Sequence, residues 1–118
     1  MAPQDAVELL SGHPSASIVT IVGLLALVLA PVFEETLFRG FAYPALKRWL
    51  GPGISALIVS LVFALLHMSL LAFVPLVVLG LVLVVAYEAT GSLLVPIFIH
   101  SGFNAISFAR LLIQPGAS

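Results

Sequence analysis

The chain has 118 residues, of which 62% are apolar and only 8% charged, with a formal net charge of -1 and no cysteine. Soluble domains hold about 45 to 50% apolar residues, so this composition is that of a membrane protein. Four basic residues cannot track a phosphate backbone, which sets aside nucleic acid as a partner. The lack of cysteine removes disulfides, thiolate metal sites and cysteine nucleophiles together.

Residues 1–13 carry Asp5, Glu8 and His13 and read as a polar lead-in. Arg39 is the first basic residue, so Met1 to Ser15 lacks the positive region that opens a secretory signal peptide. Pro14 to Phe33 is free of formal charge, and a run of about 20 such residues crosses the hydrocarbon core as a helix. Pro31 lacks a backbone donor, so the helix is expected to bend or restart there and to carry Glu34 and Glu35 near a helix start. Gly40 to Leu50 mixes Pro44, Lys47, Arg48 and Trp49, a pattern that predicts a short interfacial helix at headgroup level. Gly51 to Tyr87 fits two short spans with a turn near Phe73 to Pro75, and Leu93 to Ile113 makes the last span.

The predicted fold is all-α, a polytopic bundle of about four spans in one core domain over 14–113, with a tail over 114–118. Lys47 and Arg48 place their connection on the cytoplasmic side by the positive-inside rule. Gly23, Ser55, Ser60, Gly80 and Gly102 are the small residues available for helix contacts. Glu88, Lys47, Arg48 and Arg110 read as anchors at span ends.

Ionisable groups at bilayer depth cost roughly 2.5 to 3.5 kcal/mol on insertion scales, which makes them functional candidates. Glu35 and Arg39 are four apart and share a helical face in the favourable order for an ion pair. Glu34 is rotated away by about 100° and has no basic residue three or four positions on, which leaves it as the candidate proton acceptor. His100 and Asn104 share a face of the last span and offer two donors to an oxyanion. Phe63 walls the face of His67. Taken singly, each of these residues has a structural reading: an ion pair for Glu35 and Arg39, interhelical hydrogen bonds for His67, His100 and Asn104. Ser69 lacks a nucleophile-elbow setting.

Glu34-Glu35-Thr36-Leu37-Phe38-Arg39, Phe63-Ala64-Leu65-Leu66-His67 and His100-Ser101-Gly102-Phe103-Asn104 resemble the EExxxR, FxxxH and HxxxN motifs of the CPBP intramembrane proteases. That family includes CAAX prenyl endopeptidases and bacterial proteins linked to bacteriocin self-immunity. The resemblance covers Ala30 to Ser107 and implies an integral membrane endopeptidase of a bacterial plasma membrane. Its substrate would be a peptide or protein in or at the bilayer, with or without a prenyl group. Carried over, it makes Glu34 and His67 the activators of water, lets Arg39 orient Glu35, and assigns the oxyanion to His100 and Asn104. An older reading of the family makes Glu34, His67 and His100 zinc ligands, and both chemistries stay open at this point. Family members usually carry further helices before the core. A non-enzymatic immunity or scaffold protein is the competing class, and an ion or proton pathway is a third.

Overall fold

The computed structural model describes Leu10 and residues 14–113; apart from Leu10, the expected lead-in over 1–13 and the tail over 114–118 lie outside them. Helix α1 (Ala16–Leu24) starts at Ser15, whose hydroxyl accepts the Ile18 N–H at 3.2 Å and so satisfies a donor that the helix cannot. A π-helical segment, Leu25–Leu29, leads without a break into α2 (Ala30–Leu37). A second one, Phe38–Ala42, leads into α3 (Tyr43–Leu66). Each α-helix that follows a π segment has proline as its second residue, Pro31 or Pro44. Proline has no N–H for the carbonyl four residues back, and the N–H just before it bonds five back instead, Ala30 to Leu25 and Tyr43 to Phe38.

Helix α3 is broken inside. Gly51 has φ 80° and ψ 170°, a conformation open essentially to glycine alone, and Pro52 follows it. A straight helix over Ala16–Leu66, 51 residues, would measure about 76 Å, whereas the longest axis of the molecule is 49 Å. The chain therefore doubles back at Gly51, and residues 52–66 return along the path just laid down. Phe63 meets Phe38 edge to face at 5.5 Å, and His67 meets Glu34, both pairs centred on the same break.

A turn over 67–72 leads to α4 (Phe73–Thr90), and Gly91 at φ 66° ends that helix with its N–H on the Tyr87 carbonyl. Helix α5 (Leu94–Ile113) then runs back beside α2 and α1, bringing Leu93 to Gly40 and Phe108 to Gly23. The core lies between α3 and α4, where Phe38, Tyr43, Val59, Phe63, Leu79 and Leu83 are buried. Large apolar side chains such as Phe33, Phe41, Trp49 and Phe98 are exposed, as lipid-facing positions are.

All described elements are helices, as the sequence predicts, and three are long and apolar enough to cross a membrane: Ala16–Leu66, Phe73–Thr90 and Leu94–Ile113. The first two of the four expected spans fall within one element that Gly51 divides. The turn expected at Phe73 to Pro75 lies at 67–72 instead, because Pro75 occupies the first turn of α4, where its missing N–H costs nothing. Glu34 and Glu35 sit beyond the first turn of α2, and α2 continues from the helix before it, so no free helix N-terminus faces them. Gly102 has open space where a Cβ would stand and makes no close helix contact, while Ser55, Ser60 and Gly80 are buried between α3 and α4.

Candidate active site

Three helices deliver the polar side chains to one place. Glu35 and Arg39 pair on a common face, as their spacing requires, with Nη1 3.2 Å from Oε2 and both side chains fully buried. Further bonds offset the cost of burying such a pair, here in part, since Glu35 Oε1 and Arg39 Nε have no hydrogen-bond partner. Arg39 Nη2 donates to the Gly80 carbonyl of α4 at 3.0 Å, and the guanidinium lies over the Phe63 ring at 4.7 Å. His100 Nδ1 lies 2.7 Å from Glu35 Oε2. A carboxylate held by a guanidinium can only accept, so Nδ1 carries the proton and Nε2 presents its lone pair.

His67 is set in the same way by another partner. Its Nδ1 is 2.7 Å from the Phe63 carbonyl, which also only accepts, so its Nε2 is the free nitrogen. Both free nitrogens point to the same atom. Glu34 Oε1 is 3.7 Å from His67 Nε2 and 3.6 Å from His100 Nε2, and it has no hydrogen-bond partner. These separations are too long for direct hydrogen bonds and suit a small particle shared between the groups. Phe63 packs against both imidazoles, at 4.7 Å from His67 and 5.5 Å from His100, and so walls the site from the core side.

Asn104 is placed differently from the other expected residues. Its Nδ2 donates to the Ala26 carbonyl at 2.7 Å, and one turn earlier Ser101 Oγ donates to the Leu27 carbonyl at 2.7 Å. Those carbonyls lie five and four residues before Pro31, whose absent N–H would have served one or the other. Two side chains of α5 thus clasp the segment that the proline leaves short of donors and hold it beside His100. The structure brings Glu34, Glu35, Arg39, His67 and His100 together and joins Asn104 to this backbone clasp.

Ser101 and Gly80 are positions that motif spacing does not mark. A serine in an apolar helix three residues before an asparagine was the one visible sign of the clasp. Glu88, read as an anchor at a span end, accepts hydrogen bonds from Tyr43 Oη and Lys47 Nζ and ties α4 to α3. Ser69 serves the turn after His67, its hydroxyl accepting the Ala72 N–H.

The donor types of Glu34, His67 and His100 are those of a zinc site. The separations of 3.7 and 3.6 Å from Glu34 Oε1 to the two Nε2 atoms leave room for a small ion held by these three side chains as well as for a water.

Fold and site together define a helical membrane protein in which buried Glu35, Arg39 and His100 adjoin half-buried Glu34 and His67. The family model described as type II CAAX prenyl endopeptidase Rce1-like matches residues 16–106, and the chain belongs to that family. It is also 38% identical over 86 residues to an uncharacterized 24.3 kDa protein of Escherichia coli, an alignment covering 65% of this chain. The chain spans 38% of the length of that relative. No solved structure matches.

Proposed function

We propose that this chain is the catalytic core of a membrane endopeptidase that cleaves a peptide or protein substrate by direct attack of water. The observation that carries this reading is Glu34 Oε1 flanked by two histidine Nε2 atoms at 3.6 and 3.7 Å, each ring fixed through its own Nδ1–H. A water shared by Glu34 and His67 would be oriented by two acceptors, and Glu34 would take one of its protons as the oxygen attacks the substrate carbonyl. The C–O bond forms, the carbonyl becomes an oxyanion, and Glu34 returns the proton to the amine as the C–N bond breaks. His100 would act as an imidazolium, its second proton taken from solvent before the attack and kept throughout, with Nδ1–H on Glu35, whose carboxylate balances the charge, and Nε2–H donated to the oxyanion. Asn104 acts in this scheme by fixing the backbone beside His100.

Glu34→Gln keeps the shape of the side chain and removes the base. With the protein in liposomes and a quenched-fluorescent peptide library as probe, cleavage should fall by at least about 10³-fold while helicity is unchanged. Full cleavage by a folded Glu34→Gln protein would sink the assignment. Protein stripped with a chelator should cleave at its original rate. Loss of activity that added zinc restores would replace the glutamate mechanism with a metal-dependent one.

A further inference from the structure

Gly80 does two things at one point in α4. Its carbonyl accepts from Arg39 Nη2 at 3.0 Å, and its α-carbon abuts Ser60 of α3. A Cβ built on Gly80 would stand 2.9 Å from Ser60 Cβ, 3.0 Å from its Oγ and 3.1 Å from its Cα. Real Cβ atoms are essentially never found as close as the first of these, and Ser60 Cβ and Cα, unlike Oγ, cannot be moved aside by a rotamer change. Any side chain at position 80 therefore drives α4 off α3, and the Gly80 carbonyl moves with it. Arg39 is then left with an unanswered donor in a fully buried site, a cost that its own movement would relieve. Arg39 leads to Glu35, and Glu35 to Nδ1 of His100.

Resting on the proposed hydrolytic reading, we infer that Gly80 is a positioning residue: its lack of a side chain lets α4 approach Ser60 closely enough for its carbonyl to set Arg39, and through Glu35 the proton of His100. The helix contact and the active-site tautomer are thus one structural unit. Gly53 is the natural control, a glycine in the same helix as Ser60 with nothing within 4 Å of a built Cβ.

The test reads the histidine ring directly. In the full chain labelled with 15N-histidine in detergent micelles, His100 should show a protonated δ nitrogen and an unprotonated ε nitrogen. Assignment comes from the loss of that signal in His100→Gln. Gly80→Ala should abolish this single-tautomer signature, Ser60→Gly combined with Gly80→Ala should restore it, and Gly53→Ala should leave it unchanged. The double variant also serves if Gly80→Ala alone does not fold, since a folded double variant with the original signature identifies Ser60 as the obstacle. Retention of the signature in folded Gly80→Ala, or its absence in the double variant, overturns the inference. No substrate enters this measurement, so it stands or falls separately from hydrolysis. If the wild type cleaves peptides, folded Gly80→Ala should lose about 100-fold in kcat with KM unchanged, as a misplacement of about 1 Å costs.

Discussion

Two glutamates in this chain each accept from two donors, and they lie in opposite environments. Glu35, bonded to Arg39 and His100, is fully buried in the middle of the molecule. Glu88, bonded to Tyr43 and Lys47, sits at one end of the helices with 38% of its side chain exposed. The local chemistry is similar and the consequences are not. At Glu88 water and ions can replace either partner, so the cluster ties two helices together and nothing further. At Glu35 no substitute is within reach, so each bond fixes the next one, and the last fixed atom is the imidazole nitrogen that faces Glu34. Burial turns an ion pair into a positioning device, which is why the working carboxylate is the neighbour that the pair leaves out.

Three substitutions would break or sharpen this contrast. Arg39→Ala leaves Glu35 buried without its cation and should destabilise the protein by about 3 to 5 kcal/mol, measured by unfolding with SDS from mixed micelles. A loss below about 1 kcal/mol would show that the buried cluster behaves like the exposed one. Ser101→Ala leaves the Leu27 carbonyl without its side-chain donor and should cost about 1 to 3 kcal/mol in the same assay. Because Leu27 precedes the helix that carries Glu34, the change should also weaken cleavage while KM stays put; a neutral result on both counts would remove the clasp from the account. Lys47→Ala should cost no more than about 1 kcal/mol, and raising the salt concentration should shrink even that. A large, salt-independent loss would place Glu88 in the buried class.

The parts of this arrangement that a sequence reader can find are the local ones. Glu35 and Arg39 are one helical turn apart, so their pairing follows from helix geometry, and the isolation of Glu34 follows from the same rotation. His67 beside Phe63 is equally local, although its Nδ1–H to the Phe63 carbonyl is not foretold by spacing. Contacts made across the fold stay out of sight. Arg39 reaches a carbonyl 41 positions away, which has no residue identity to advertise it. Asn104 and Ser101 reach carbonyls 78 and 74 positions away, exposed by a proline whose effect reads from sequence as a bend or restart of the helix, with no partner named. Pro75 suggests a turn from sequence and yet lies in the first turn of α4, because proline marks the starts of helices as readily as their ends.

Gly51 decides more than the course of α3. Glu34 lies in the helical element that ends at Leu66, and His67 follows directly on it; on an unbroken helix the 33 steps from one to the other would set them about 50 Å apart. In the folded chain their polar atoms are 3.7 Å apart. A Cβ at position 51 would meet nothing within 4 Å, so what reserves the position for glycine is the backbone angle, not crowding. The approach of carboxylate and imidazole is thus delegated to one dihedral 17 residues from the first and 16 from the second, at a residue that touches neither.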